Sequence, residues 1–206
     1  MTELIIYGYM QSTFVRSACM AAVEKGITYA LEPIELGSEG YRKLHPWGKM
    51  PSMRHGDLLI YETLAIGHYI DQAFDGPALM PNEPATNARM HSWCSAVIDY
   101  LAPHIAVGIL QPKAGFRDVT DAELARSVEL AAYDLHIVET SLTNDPFLAG
   151  DRLSFADLMV VPLVAYLSNT PPEGTDLLNA VPGVRAWLDQ MATRPSFQDT
   201  TPPPFG

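Results

Sequence analysis

Three short segments in the first third of the chain place polar groups where proteins commonly bind a small ligand. The first is residues 9–16, Tyr-Met-Gln-Ser-Thr-Phe-Val-Arg, which follow an apolar run and precede a helical pattern. A hydroxyl at the end of a strand, beside a helix N-terminus, lies near exposed amides and the positive end of the helix dipole. Such a hydroxyl can donate to an anion, although a plain capping role for Ser12 or Thr13 also fits.

The second segment is Gly48-Lys49-Met50-Pro51. A proline just before a strand fixes how the chain enters the sheet. If the Met50–Pro51 bond is cis, the amide and carbonyl of Met50 turn outward, and an extended peptide can pair with them as an added strand. An ordinary trans proline at the start of a strand is the alternative.

The third segment is Tyr61-Glu62-Thr63, at the start of a helical pattern. Thr63 offers a hydroxyl and backbone amides at a helix N-terminus, which suits a carboxylate. Glu62 can accept an ammonium group. The two receptors together suit the head group of an amino acid, with a plain helix cap as the alternative.

The elements that position these segments form a short α/β pattern. The apolar run Leu4–Tyr7 predicts a buried strand, the spacing over Thr13–Lys25 a helix, and the alternation over Thr28–Pro33 a second strand. This order predicts a right-handed crossover between parallel strands. A hairpin around Gly56 then adds antiparallel strands, and a helix follows over Glu62–Ala73.

Residues 76–85 are rich in proline and glycine and predict a linker. Everything beyond is predicted to be helical, over Thr86 to about Leu110, Thr120–Thr143, Ser154–Leu167 and Pro182–Thr193.

Individual residues refine this helical pattern. Pro103 is expected to kink the first long helix. Thr120 and Glu123 suggest a capping box, and Ser154 and Asp157 a reciprocal cap on a nearly apolar, central helix. The tail from residue 195 carries further prolines and is expected to run along the surface.

Composition narrows the classes of function. The chain has 206 residues and a net charge of −11, which disfavours nucleic acid and anionic membranes as partners. Cys19 and Cys94 are too few for a disulfide framework and fit free thiols in a reduced compartment. No signal peptide is recognised, and the longest apolar run is about half of a membrane span. A soluble, cytoplasmic protein is expected.

The order of the three segments, followed by an all-helical half, resembles the cytosolic glutathione transferase superfamily, in particular its serine-type, bacterial-like members. Leu153–Asp157 also resembles the capping-box segment of the second domain in that family, and the resemblance spans roughly residues 3–195. It implies an α/β thioredoxin-like glutathione-binding domain over residues 1–75. It further implies a linker over 76–85 and an all-α domain over 86–206 that shapes the second-substrate pocket.

Site residues follow from the same resemblance. Ser12, four residues before Arg16, matches the hydroxyl directed at the glutathione sulfur, while tyrosine-type members use a phenol, which leaves Tyr9 as the alternative. The other residues implied to bind glutathione are Phe14, Lys49, Met50, Pro51, Glu62 and Thr63. His104 is expected in the second-substrate pocket, with an interface histidine as the alternative.

Further candidates for an apolar pocket, with plain core as the alternative, are Tyr100, Val107, Phe116 and Tyr166. The six histidines show no spacing typical of metal ligands, so no metal is expected. No cysteine lies between residues 8 and 16, which argues against the branch that forms mixed disulfides with glutathione.

The sequence therefore predicts a homodimeric enzyme that uses glutathione as co-substrate. It would conjugate glutathione to an apolar electrophile or use it to reduce an organic peroxide. A binding or scaffold protein that kept this fold and lost the chemistry is the second hypothesis.

Overall fold

The computed structural model describes residues 3–203, which divide into two compact units. The first unit contains the residues up to Met80 and those from Arg194 onward, and the second is Pro81–Thr193. The sequence-based division differs at the C-terminus, because it assigned the whole of 86–206 to the helical domain.

The first unit is built on a four-stranded sheet. Its strands are β1 (Leu4–Tyr7), β2 (Tyr29–Glu32), β3 (Ser52–His55) and β4 (Leu58–Tyr61). They lie in the order β2-β1-β3-β4, with β1 parallel to β2 and β3 antiparallel to both β1 and β4. The predicted parallel crossover and the predicted hairpin are both confirmed.

Three helices accompany this sheet, namely α1 (Thr13–Glu24), α2 (Glu39–Arg42) and α3 (Thr63–Ala73). Helices α1 and α3 pack against each other. A buried ion pair joins them, in which Lys25 Nζ lies 3.3 Å from Asp71 Oδ1. The same carboxylate oxygen accepts the backbone N–H of Leu79 at 2.7 Å, which anchors the end of the first unit.

The second unit is helical throughout its regular structure. One continuous helix comprises α4 (Pro84–Ala96), a π-helical segment (Val97–Leu110) and a last α-turn, α5 (Gln111–Lys113). It is followed by α6 (Asp121–Ser141), α7 (Phe155–Leu167), α8 (Glu173–Asn179) and α9 (Pro182–Ala192). Helix α7 is buried over almost its whole length, as its apolar sequence predicts.

The π-helical segment replaces the kinked α-helix that the sequence predicted over Thr86–Leu110. Pro103 lies inside it. Proline has no N–H to donate, and in an α-helix its ring meets the carbonyl four residues earlier, so a wider turn accommodates it. Pro84–Lys113 is long and apolar enough to match the length and composition of a membrane-spanning helix. In this structure it packs against α6 and α7 of its own unit.

The two predicted capping arrangements in the second unit are confirmed. Thr120 and Glu123 form a capping box at the start of α6. At the start of α7, one oxygen of Asp157 accepts the N–H and the hydroxyl of Ser154, at 2.9 and 3.0 Å. Its other oxygen accepts the N–H of Leu148 at 2.9 Å. Burial raises the pKa of Asp157 to about 6, although these hydrogen bonds act in the opposite direction.

A carboxylate on α6 caps a different helix. Glu139 accepts the N–H groups of Gly183 and Val184, at 2.9 and 2.6 Å, in the first turn of α9. We expect Glu139→Ala to lower the free energy of unfolding by about 1 kcal/mol, the usual value of a helix cap. Urea unfolding measures this. The control is Glu129→Ala, on the same helix, whose exposed pair with Arg126 is worth under about 1 kcal/mol; equal losses would contradict the prediction.

The C-terminal segment forms a short helix, α10 (Pro195–Asp199), that packs against α1. The Arg16 side chain is buried, and its Nη2 donates to the carbonyl of Phe197 at 3.1 Å. The guanidinium also lies 4.2 Å from the centre of the Phe197 ring. Thr200, just beyond α10, is fully buried. Most of residues 195–203 are nevertheless exposed or partly exposed, which agrees with the expectation that this tail runs along the surface.

Candidate active site

One row of residues across the sheet brings the three predicted segments to the same edge. Tyr7 at the end of β1 lies opposite Ser52 at the start of β3, and Ser52 lies opposite Tyr61 at the end of β4. The segment before α1, the turn ending at Pro51 and the start of α3 at Thr63 all adjoin this row. The antiparallel registers therefore place side chains from three distant parts of the sequence close together.

Gly8 allows two of these segments to approach each other. Its φ is +152°, and a Cβ on it would lie 2.5 Å from Val15 Cγ2 and 3.4 Å from Met50 Cβ. No side chain fits at the first of these distances. A glycine is therefore required where β1 leaves the sheet, and the segment before α1 lies against Met50 as a result.

Ser12 is the N-cap of α1. Its hydroxyl oxygen accepts the N–H of Val15 at 3.4 Å, and the side chain is partly exposed. Within residues 3–203, no hydrogen bond is found in which this hydroxyl is the donor. Because capping uses a lone pair and donation uses the proton, the cap and the anion-donor interpretations are compatible.

Tyr9 is arranged differently. Its ring is exposed, and its phenol donates to the backbone carbonyl of Ile34. The phenolic proton is therefore engaged within the protein, whereas the Ser12 proton is not. Phe14, on the first turn of α1, is partly buried.

The turn before β3 contains the Met50–Pro51 bond, which is cis. Pro51 is buried and Met50 partly buried, while Lys49 is exposed. The turn therefore exposes the Lys49 cation to solvent, next to Met50, which lies close to Gly8.

The start of α3 combines an unusual backbone with an open carboxylate. Glu62 has φ 72° and ψ 124° and does not cap the helix with its side chain. It is the one non-glycine residue with positive φ in the part of the chain that the structure describes. Such a conformation is uncommon and is often found at functional sites. The Glu62 side chain is 59% exposed, and Thr63 beside it is buried.

His45 was not among the site residues predicted from the sequence. It is buried, and its Nε2 lies 3.9 Å from Glu62 Oε1. Burial lowers the pKa of His45, and so does Lys49, while Glu62 raises it. The available signal was its position in His45-Pro46, directly before the turn that carries Lys49 and Met50.

His104 lies on the π-helical segment, and its Nδ1 is 2.6 Å from Asp134 Oδ2 on α6. Gly108 permits this close approach, because a Cβ there would lie 2.4 Å from Ser127 Oγ. The histidine is therefore held by a partner within the helical unit.

The sequence left two interpretations for several large apolar side chains of the helical unit, namely an apolar pocket or plain core. Tyr100, Val107 and Phe116 are all exposed within that unit, so plain core is the wrong interpretation for these three.

Neither cysteine belongs to this site. Both are buried free thiols, and burial raises the pKa of Cys19 and of Cys94 to about 12. Neither supplies a thiolate near neutral pH. Among residues 3–203, no cluster of three or more His, Cys, Asp or Glu side chains is arranged to hold a metal ion.

Both units match known protein families. The glutathione S-transferase N-terminal domain matches residues 6–78, and the glutathione S-transferase C-terminal domain matches residues 103–195. Glutathione S-transferase F14 of Arabidopsis thaliana is 31% identical over 86% of this chain and 74% of its own length. Glutathione S-transferase 3 of Zea mays is 29% identical over 99% of this chain and 98% of its own.

A solved structure gives the same result. The theta class glutathione S-transferase of Xanthomonas axonopodis pv. citri, crystallised with glutathione bound, superposes with a TM-score of 0.84 at 25% identity, covering 97% of each chain. The fold is thus a thioredoxin-like α/β domain followed by an all-helical domain. This chain belongs to the glutathione S-transferase family. It is a glutathione transferase enzyme with glutathione as co-substrate, as the sequence predicted.

Proposed function

We propose that this enzyme uses the Ser12 hydroxyl to hold glutathione as its thiolate and directs the thiolate at an apolar electrophile or an organic peroxide. The observation that carries the proposal is the row Tyr7–Ser52–Tyr61, from which the segments bearing Ser12, Met50 and Glu62 leave one edge of the sheet. It is a serine-type mechanism, in which Tyr9 has a structural role.

The Ser12 hydroxyl and the N-terminus of α1 can supply the free energy needed to stabilise the thiolate. A free thiol has a pKa of about 8.5 and is mostly protonated at neutral pH, and the thiolate is the nucleophile. Lowering the pKa by about two units requires about 2.7 kcal/mol. A hydrogen bond to a charged group contributes about 1.5 to 3 kcal/mol, and a helix N-terminus about 0.3 to 1 kcal/mol. Helix α1 has no acidic residue in its first turn to oppose the anion.

Both proposed reactions begin with attack by the thiolate sulfur of glutathione on the second substrate. In conjugation, the thiolate forms a bond to an electrophilic carbon and the leaving group departs with its electron pair. In peroxide reduction, the thiolate attacks the terminal peroxide oxygen and the O–O bond breaks. Glutathione sulfenic acid forms, and the departing alkoxide takes a proton from water to become the alcohol. A second glutathione then converts the sulfenic acid into glutathione disulfide and water. Either route needs the second substrate held close to the sulfur.

The tripeptide is held by its two ends and its backbone. Glu62 accepts the ammonium group of the γ-glutamyl unit, and Thr63 with the first amides of α3 binds the carboxylate of the same unit. The Met50 backbone pairs with the cysteinyl unit. Lys49 attracts the glycyl carboxylate, while Pro51 and Phe14 shape the site.

The helical unit provides the second-substrate pocket in this proposal, with His104 among its residues. The exposed rings of Tyr100 and Phe116 in that unit support an apolar substrate. We further propose a homodimer in the cytoplasm that has no nucleic-acid or membrane partner. The net charge of −11 supports the absence of nucleic-acid and membrane partners, and the two free thiols support the compartment.

Glu62→Gln tests the binding part of the proposal. The neutral amide keeps the size of the side chain but loses the charge that attracts the ammonium group. We therefore expect glutathione affinity to fall about tenfold, the value of one charged hydrogen bond. Isothermal titration measures the affinity, and turnover of an activated aryl chloride measures the activity. Glu35→Gln, an exposed acid of the same unit, should leave both unchanged.

The outcomes separate the two hypotheses. Wild-type protein should be retained on immobilised glutathione and should turn over the aryl chloride. Retention without turnover of any electrophile or peroxide would favour a scaffold protein. An unchanged affinity in Glu62→Gln would remove Glu62 from the site.

A further inference from the structure

His45 lies beside the carboxylate that the proposed function assigns to the ammonium group of glutathione. Its side chain is 2% exposed, and Nε2 lies 3.9 Å from Glu62 Oε1. This distance exceeds a hydrogen bond but is short enough for a charge–charge interaction when the ring is protonated. His45 and the ammonium group of glutathione would therefore interact with the same carboxylate, that of Glu62.

The other ring nitrogen indicates how neutral His45 is oriented. Nδ1 is buried and makes no hydrogen bond within the described residues. A proton on Nδ1 would bury an unsatisfied donor and turn the lone pair of Nε2 toward a carboxylate. The neutral ring therefore carries its proton on Nε2, which faces Glu62.

The surroundings of His45 contain few charges. Tyr41 of α2 and Tyr61 of β4 face the ring, with centroid distances of 6.4 and 5.3 Å. Tyrosines carry no charge in the neutral and mildly acidic range. Glu62 and Lys49 are the charged groups that influence it. Added positive charge on the ring is thus balanced by Glu62 alone and opposed by Lys49.

We propose that His45 is a positioning residue that makes glutathione binding sensitive to acid, because its protonated ring competes with the ammonium group of glutathione for Glu62. Neutral His45 leaves the carboxylate charge available and points an N–H at it. Protonated His45 places a cation beside the carboxylate and weakens the attraction for the ligand. This inference rests on the proposed role of Glu62. Burial and Lys49 lower the pKa of His45 from 6.5, so the effect should appear in mildly acidic solution.

The test measures binding of S-methylglutathione, which has no thiol to ionise, by isothermal titration at about pH 7 and pH 5. We expect the wild-type Kd to rise about fivefold on acidification, the lower range of site–site coupling. His45→Gln keeps an N–H donor near the position of Nε2 but cannot titrate. It should bind like wild type at the higher pH and change less than about twofold at the lower.

A matched control separates His45 from other titrating groups. His55, in the same unit, pairs with the hydroxyl of Tyr69 at 2.8 Å, so His55→Gln should keep the wild-type pH dependence. A His45→Gln protein that also keeps it, or that loses affinity equally at both pH values, overturns the inference.

A second measurement needs no variant. Linkage is reciprocal, so saturating ligand should lower the pKa of His45 in a proton NMR titration of the wild-type protein. An unchanged pKa overturns the inference. If Glu62→Gln weakens binding while His45 shows no effect, the inference fails and the proposed function stands. If Glu62→Gln leaves affinity unchanged, the proposed head-group site itself fails.

Discussion

Replacing Ser12 with alanine is expected to raise the pKa of the bound glutathione thiol by one to two units, about 1.4 to 2.7 kcal/mol. The hydroxyl is the donor assigned to the sulfur, and its removal leaves the thiolate with only the dipole and amides of α1. At pH values below the wild-type thiol pKa, kcat/KM should fall about 10- to 100-fold. Ultraviolet titration of the bound thiolate and the pH–rate profile measure the two quantities. Glutathione affinity should change little below the wild-type thiol pKa, where the thiol is bound in its protonated form.

Tyr9→Phe is the matched control for this result. The phenol donates to the carbonyl of Ile34, so its removal should leave the thiol pKa unchanged. If Tyr9→Phe raises the pKa and Ser12→Ala does not, the role belongs to Tyr9. If neither does, backbone amides stabilise the thiolate.

Ser12→Asp separates capping from catalysis. Ser12 also accepts the N–H of Val15, so alanine removes a cap worth about 1 kcal/mol. Aspartate restores the cap and complements the dipole of α1. It also places a negative charge beside the sulfur, which disfavours the thiolate. We therefore expect stability at least equal to wild type together with a thiol pKa above that of Ser12→Ala.

Features set by neighbours in the sequence could be predicted from the sequence alone. The caps at Thr120 and Ser154 each join residues three apart, so residue type and spacing suffice. The crossover and the hairpin follow from short apolar runs and a glycine turn. The edge shared by the segments of Ser12, Met50 and Glu62 follows from the registers of that topology.

Features set by distant contacts could not be predicted in this way. Arg16 pairs with Phe197 across 181 residues, and nothing in the proline-rich tail indicates a helix that receives a buried arginine. His45 becomes notable only because folding brings it to Glu62. Pro103 signals the loss of one helical hydrogen bond. It does not say whether the helix kinks or widens, and the structure shows a π-helical segment.

Asp157→Ala is expected to produce the largest loss of stability. The carboxylate is fully buried and is the acceptor for the N–H groups of Leu148 and Ser154. Alanine leaves these buried donors unsatisfied, at about 1 to 3 kcal/mol each. A total loss of about 3 kcal/mol lowers the Tm of a chain of this size by roughly 6 to 12 °C. Thermal and urea unfolding measure the loss.

The control for Asp157 is its exposed neighbour Asp151, whose replacement by alanine should change stability by at most about 0.5 kcal/mol. Asp157→Asn keeps one acceptor oxygen but turns an amide donor toward buried donors, so it should lose nearly as much as alanine. The thiol pKa should stay at its wild-type value in folded Asp157 variants, because the cap lies in the second unit and Ser12 in the first. A loss similar to that of Asp151→Ala would mean that the buried donors find other acceptors, and the carboxylate would then not be needed to hold the start of α7.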